Sequence, residues 1–247
     1  MGNSGPIGSA MPDDAARPTI RAVILDLDDT LFDHTESARR GLTRTIAELG
    51  GQATTTVLES WETTAERLMG QRRRGLLDRE GYRHERVRAL LREIGFPARA
   101  AESEPQQLDQ IYDRFLTLYE QEWVGFDDAV PTLRALQSRG LALAILTNGP
   151  EERQRRKVQA LGLAPWVVGV WTSDRLGARK PDQRTYLAVC EALAVEPCSV
   201  LHVGDNREHD LDGARSAGLA ALHLDRSRQR PLAPDSIGGL LDVLDRF

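Results

Sequence analysis

The sequence predicts an α/β protein: a parallel sheet with helices on both faces, interrupted once by an all-helical insert. Short, continuously apolar runs occur at Ala22-Val23-Ile24-Leu25 and at residues 141–146, and a further strand is read at residues 199–203. Strands covered on both faces read this way. From residue 126 onward such runs alternate with amphipathic stripes at helical spacing, the pattern of a parallel sheet with crossover helices. Residues 33–125 show no strand signal and carry four helical stripes in succession, as in a small bundle.

Taken in order, residues 1–18 are rich in Gly, Ser, Pro and Ala. They lack the basic start and apolar core of a secretory signal, and Pro6 stands where myristoylation wants Ser or Thr. A disordered tail is expected. The first strand ends in Asp26-Leu27-Asp28-Asp29-Thr30. Three crowded carboxylates raise one another's pKa values, and a divalent metal would relieve that cost. In open α/β sheets ligands bind beyond the carboxyl ends of the strands.

In the insert, Ala38, Leu42, Ile46 and Leu49 form one stripe closed by Gly50-Gly51. Val57, Trp61, Ala65 and Leu68 form a second, closed by Gly70. Val87, Leu90, Leu91 and Ile94 form a third, closed by Gly95 and Pro97, and Leu108, Ile111, Phe115 and Leu118 a fourth. Arg72, Arg73, Arg74, Arg79, Arg83, Arg86, Arg88 and Arg92 are read as a solvated face partly paired with Asp78, Glu80 and Glu85. The competing reading gives one or two of them a second anionic group of a substrate. Trp61 and Trp123 are assigned to the bundle core, and His34 and His84 to the surface.

The remainder reads as helix 129–138, strand 141–146, helix 151–161, a strand at Val167, Val168 and Val170, helix 182–193, strand 199–203, helix 207–217, strand 220–224 and helix 237–244. Residues 226–234, with Arg226, Arg228 and Arg230, read as a solvated loop. Cys190 lies on the apolar stripe Tyr186, Leu187, Val189, Cys190, Leu193, so a buried reduced thiol is expected.

Composition narrows the function. The 247 residues carry a formal net charge of −5 and 2 cysteines. A general nucleic-acid binder would show a basic excess, two cysteines make no disulfide framework, and the apolar runs are far too short to span a bilayer. A cytoplasmic protein is expected, without nucleic-acid or membrane partners, as a monomer or weak homodimer.

Four strand ends deliver polar groups to one edge: Asp26 and Asp28, then Thr147-Asn148-Gly149, then Lys180-Pro181, then Gly204-Asp205 and Asp210. Singly each is ordinary turn chemistry; together they suit phosphoryl transfer. Asp26 and Asp205 can supply carboxylates to Mg²⁺, and Lys180 can balance them and bind phosphoryl oxygen. Thr147 offers a hydroxyl, and the amides around Asn148 and Gly149 an anion nest. A carboxylate can act as nucleophile, with a second acid moving the protons. Asp26 and Asp28, two apart, lie on one side of an extended segment.

On these residues the sequence resembles the haloacid dehalogenase-like (HAD) hydrolases, in the phosphatase branch with a helical C1-type cap after the first strand. Asp26-Leu27-Asp28-Asp29-Thr30-Leu31, Thr147-Asn148-Gly149, Lys180-Pro181 and Gly204-Asp205-Asn206-Arg207-Glu208-His209-Asp210 match its four motifs in order. The resemblance implies a Rossmann-like core from residues 19–32 and 126–247, with a cap at 33–125. It implies Asp26 as nucleophile and Mg²⁺ ligand, and Asp28 as general acid/base with its carbonyl on the metal. Thr147, Asn148 and Lys180 would hold the phosphoryl group, Asn148 mainly through its backbone. Asp205 would ligate Mg²⁺, and Asp210 would support the acidic set. His209 stands where many relatives carry Asn, and a local hydrogen bond is expected of it. Asp29 and Asp33 are read as structural, with Thr30 fixing the turn by a local side-chain bond. The resemblance implies an aspartyl-phosphate route acting on a phosphorylated sugar or sugar acid, phosphoglycolate or a nucleoside monophosphate. Dehalogenases lack the second acid, so Asp28 favours ester hydrolysis. The alternatives are a phosphomutase on a sugar phosphate and a non-catalytic binding module.

Overall fold

Strand β1 (Ala22–Leu25) is wholly buried, and the rest of the sheet forms around it. The computed structural model describes residues 19–227 and 232–246; the tail expected at 1–18 and part of the loop expected at 226–234 lie outside them. The other strands are β2 (Ala142–Thr147), β3 (Gly169–Thr172), β4 (Val200–Gly204), β5 (Ala220–Leu224) and β6 (Ser236–Ile237). All pair in parallel, in the order β3-β2-β1-β4-β5-β6. The chain builds outward from β1 through β2 to β3, then returns to β4 on the other side. That reversal opens a crevice at the end of β1, the usual ligand position in such sheets. Leu25 is level with Ile145 and with Val203, so the loops after β1, β2 and β4 leave the sheet side by side.

Both faces of β1 are covered, and its residues alternate between them. Val23 and Leu25 pack with Leu133, Leu136, Val158 and Leu222. Ala22 and Ile24 pack with Tyr186, Val189, Cys190 and Leu211. The first face is laid down by α6 (Ala129–Ser138) and α7 (Glu151–Ala160), the second by α9 (Gln183–Leu193) and α10 (Gly213–Ser216). The short α8 (Ser173–Leu176) follows β3.

Between β1 and α6 the chain is entirely helical: α1 (His34–Leu49), α2 (Thr55–Arg73), α3 (Arg79–Glu93), α4 (Pro97–Glu102) and α5 (Pro105–Gln121). Asp33 caps α1 by accepting from the Glu36 N–H, and Gly50 ends it at φ 83° with its N–H turned back to the helix. That left-handed turn is cheapest for glycine. Asp78 caps α3 in the same manner through the Gly81 N–H. Helices α1 and α5 approach so closely at Gly41 that a Cβ there would overlap the Tyr119 backbone. Leu42, Ile46, Trp61, Leu90, Phe115 and Tyr119 join the same apolar cluster as the first face of the sheet. The two ends of the insert meet: Asp33 N–H donates to the Val124 carbonyl at 3.0 Å and Phe126 N–H to that of Leu31 at 3.2 Å.

Several sequence expectations need correction. Helix α2 continues through Gly70 to Arg73; a single glycine costs about 1 kcal/mol in a helix, too little to stop one anchored on Trp61 and Leu68. Pro97 starts α4 rather than only closing α3, since proline suits a first helical turn. Strand β3 begins at Gly169, and Val168 is 63% exposed. Residues 207–217 are a wide π turn (Arg207–Asp212) followed by α10, and the chain closes in a 3₁₀ helix (Leu240–Arg246) preceded by β6.

The arginine face is not simply solvated. Arg86 is buried, with its guanidinium 3.8 Å from the centre of the Trp61 ring and a bond to the Tyr82 hydroxyl. Arg83 pairs with Asp109 and Asp113 on α5 instead of Asp78 or Glu80, whereas Arg88 does pair with Glu85. His84 is buried against α5, not on the surface. Arg226 is no free loop residue either. Its guanidinium lies 3.7 Å from the Phe126 ring centre, pairs with Asp128 and donates to the Thr30 carbonyl at 2.8 Å. Trp61 is buried in the bundle and Cys190 is a buried free thiol. Among the described residues no helix is long and apolar enough to cross a membrane.

Candidate active site

The loops after β1 and β4, beside the crevice, bring Asp26, Asp205 and Asp210 together, with a carboxylate oxygen from each lying within 4.8 Å of the others. Asp26 follows β1, and its N–H still pairs with the Val203 carbonyl at 2.9 Å, so sheet bonding fixes its height. Asp205 follows β4. Asp210 is carried back beneath β4 by the π turn, whose extra residue per turn swings it inward; such turns often mark functional sites. The fit is close: a Cβ on Gly204 would overlap the Asp210 carboxyl.

Lys180 arrives from the far side of the sheet. Its Nζ donates to Asp26 Oδ1 at 2.6 Å and to Asp210 Oδ1 at 2.5 Å, with the side chain 2% exposed. The backbone that presents it is tied to β2: Asn148 Oδ1 accepts from the Lys180 N–H at 2.8 Å, and Asn148 Nδ2 donates to the Lys180 carbonyl at 3.0 Å. The Asn148 side chain is thus occupied in holding Lys180. Thr147 is buried, with its hydroxyl accepting from Gln154 Nε2 at 2.7 Å.

The electrostatics divide the carboxylates. Burial pushes Asp26 well above the ordinary carboxylate range, against the pull of Lys180 and with Asp210, Asp205 and Asp28 adding to the rise. Burial and the charges of Asp210 and Asp29 raise Asp205 to about 7. Asp210 goes the other way. Burial opposes its charge, but Lys180 and the His202 bond hold it below its ordinary value. Lys180 stays protonated, because Asp210 and Asp26 outweigh its burial. His202 lies in the middle of β4, fully buried, with Nε2 3.0 Å from Asp210 Oδ1. Burial lowers its pKa, so neutral His202 donates to the ionised Asp210.

Asp28 occupies separate surroundings. Lys157 Nζ donates to its Oδ1 at 2.5 Å and Gln154 Nε2 to its Oδ2 at 2.8 Å. Burial alone would raise it, but Lys157, His34 and Gln154 together hold it below its usual value. Gln154, Lys157 and His202 have no place in the motif-based site. Their signal was present nonetheless. Gln154, Lys157, Val158 and Leu161 fall at i, i+3, i+4 and i+7, the spacing of an inward stripe, and His202 interrupts an apolar strand.

Around these groups, Asp29 accepts from the Thr35 N–H and hydroxyl and adopts φ 57°, a structural role like that of the capping Asp33. Thr30 departs from expectation: its buried hydroxyl has no hydrogen-bond partner among the described residues, and its carbonyl, held by Arg226, fixes the turn. His34 is half-buried rather than on the surface, with Nδ1 2.8 Å from the Tyr119 hydroxyl. His209 engages locally through its backbone, donating its N–H to Asn206 Oδ1 at 2.9 Å and accepting at its carbonyl from Tyr186.

The acidic cluster suits a divalent cation. It holds three carboxylates against one ammonium, and Asp205 has no cationic side-chain partner among the described residues. Oxygen donors with room for water are what Mg²⁺ takes. Asp26 and Asp205 are the ligands least committed elsewhere, while Asp210 is already shared by Lys180, His202 and the Asn206 N–H.

The model of the haloacid dehalogenase-like hydrolases matches residues 20–218, which spans every residue of this cluster. The chain belongs to that family. This HAD hydrolase is 27% identical over 219 residues to the glyceraldehyde 3-phosphate phosphatase of Methanopyrus kandleri, covering 87% of this chain and 88% of that one. It is 29% identical over 231 residues to the phosphoglycolate phosphatase of Rhodospirillum rubrum, covering 92% and 88%. Its fold matches the solved HAD-hydrolase YfnB from Bacillus subtilis bound to magnesium with a TM-score of 0.75, at 24% identity over 92% of this chain and 98% of that one.

Proposed function

We propose that this HAD hydrolase is a Mg²⁺-dependent phosphatase that hydrolyses a small phosphorylated metabolite through an aspartyl-phosphate on Asp26. The observation that carries the reading is the placement of Lys180 between Asp26 and Asp210, with Asp28 two residues on and held separately. The phosphatases among its relatives support it.

Asp26 is the nucleophile. Lys180 keeps its carboxylate oriented and offers positive charge to the phosphoryl oxygens, and Thr147 with the amides after β2 lines the same space. Mg²⁺, held by Asp26, Asp205 and the Asp28 carbonyl, would neutralise the phosphate and the carboxylates. Asp28, held ionised between Lys157 and Gln154, gains a proton from the bound phosphate ester, passes it to the leaving oxygen and then takes a proton from the attacking water. Asp210 and His202 hold Lys180 in place from below. Helices α1 to α5 act as a cap over residues 33–125, and the substrate is chosen beneath it.

Asp26→Asn is expected to abolish release of p-nitrophenol from p-nitrophenyl phosphate while the circular dichroism spectrum stays that of the wild type. Chelation of the metal does the same reversibly. Full turnover by Asp26→Asn would refute the reading.

A further inference from the structure

Gln154 and Lys157 sit one helical turn apart on α7 and close on the same carboxylate. The Gln154 amide has two hydrogens and two acceptors in reach, Asp28 Oδ2 at 2.8 Å and Thr147 Oγ1 at 2.7 Å. It therefore links the loop after β1 to the end of β2. Lys157 takes the other oxygen, Asp28 Oδ1. Both side chains are buried, at 1% and 2% exposed. Lys157 Nζ also lies 4.4 Å from the Phe32 ring centre and 5.6 Å from that of Tyr119. Aromatic faces attract a cation but accept no strong hydrogen bond, so Asp28 is the only carboxylate paired with Lys157 among the described residues. The Gln154 amide is packed in turn against Gly149, where a Cβ would overlap it. A buried lysine contributes less to folding than an apolar residue of its size, so its presence here points to work on Asp28.

We propose that Gln154 and Lys157 are positioning residues for the reaction proposed above, fixing both oxygens of Asp28 relative to Asp26 and Thr147. The proposal rests on the phosphatase reading. In the first step a monoanionic alkyl phosphate gives its proton to Asp28, an Asp26 oxygen bonds to phosphorus, the ester P–O bond breaks, and the leaving oxygen takes that proton from Asp28. In the second a water oxygen bonds to phosphorus and its proton passes to Asp28. The bond from phosphorus to Asp26 breaks, restoring the Asp26 carboxylate and releasing inorganic phosphate. Nitrophenolate leaves without a proton. With p-nitrophenyl phosphate, loss of Asp28 positioning therefore spares the first step and slows the second.

The test uses ³²P-labelled p-nitrophenyl phosphate, acid quenching to count phosphoenzyme, and steady-state kinetics on Lys157→Met, Gln154→Leu and Lys157→Arg. Lys157→Met and Gln154→Leu are expected to lower kcat about 10- to 100-fold, a fraction of what general acid–base catalysis supplies. KM stays within about threefold of wild type, as for an interaction absent from ground-state binding. The fraction of enzyme trapped as phosphoenzyme rises above wild type, the Mg²⁺-dependent beryllofluoride complex still forms, and Lys157→Arg regains part of kcat. A merely structural role predicts the reverse: phosphoenzyme falls with kcat and the beryllofluoride complex is lost. That result, or unchanged kcat in both variants, overturns the proposal. If Lys157→Met does not fold, Gln154→Leu decides by the same criteria. Failure of the wild type to release inorganic phosphate from p-nitrophenyl phosphate overturns the phosphatase reading itself, a result distinct from an active wild type with unaffected variants.

Discussion

Replacing Lys180 by Met removes the ammonium that Asp26 and Asp210 share. Both bonds are short, 2.6 and 2.5 Å, and the side chains involved are 2%, 9% and 1% exposed. Breaking a buried ion pair by deleting one partner costs about 3–5 kcal/mol. In a chain of this size about 1 kcal/mol moves Tm by roughly 2–4 °C, so in chelator the variant should melt about 6–20 °C below wild type. The deficit should depend on pH. Asp26 is already raised in the folded state by burial and by its acidic neighbours, and losing the ammonium raises it further. A carboxyl with a raised folded pKa favours folding while protonated and loses that contribution as pH rises through the folded pKa. The gap between variant and wild type is therefore widest near about pH 8 and narrows toward about pH 5. Adding Asp210→Asn to Lys180→Met removes one of the stranded charges and should recover part of the loss. The assay is thermal unfolding by circular dichroism at several pH values in chelator. A Tm within about 2 °C of wild type at the alkaline end, below what even about 1 kcal/mol would give, would refute the reasoning.

Two further outcomes follow from close packing and from burial. Gly204→Ala drives a methyl group into the Asp210 carboxyl and should cost about 1–3 kcal/mol, as overpacking does; wild-type stability in urea would show that β4 yields there. Cys198 is exposed, whereas Cys190 is 2% exposed with its thiol pushed up to about 11 by burial. A disulfide reagent should accordingly titrate one thiol in the native protein and the second only after denaturation, and two fast thiols would contradict the packing of α9.

The sheet was legible because burial on both faces leaves a direct mark: β1 and β2 are apolar up to their ends, β4 is broken only by His202, and the strand ends carry the polar groups. Elements whose identity depends on backbone detail were less so. The π turn at Arg207–Asp212 has the same residues an α-helix would have, and only its packing under Gly204 makes the wider turn favourable. Strand β6 has two residues and exists because β5 offers it an edge. Valine pairs read as strand, but Val167 and Val168 precede β3. The site divides in the same way. Asp26, Asp205, Asp210 and Lys180 announce themselves by position after a strand. Gln154 and Lys157 lie within a helix whose many charged residues mask its inward stripe. Arg86 and Arg226 show the same limit, since a guanidinium over an aromatic ring leaves no periodic signature in the sequence.

The pairing of residues 31–33 with 124–126 has a wider consequence. Phe32 and Gly125 form an antiparallel bridge, so the chain leaves and re-enters the sheet domain through points only about 5 Å apart. To the sheet, the five helices between amount to a single tight turn. A few residues of linker would span the same gap, so the length of the bundle does not by itself set the spacing of the strand ends. What couples the helices to the sheet is therefore side-chain packing rather than chain connectivity: Leu42, Ile46, Trp61, Phe115 and Tyr119 share one apolar cluster with the strands.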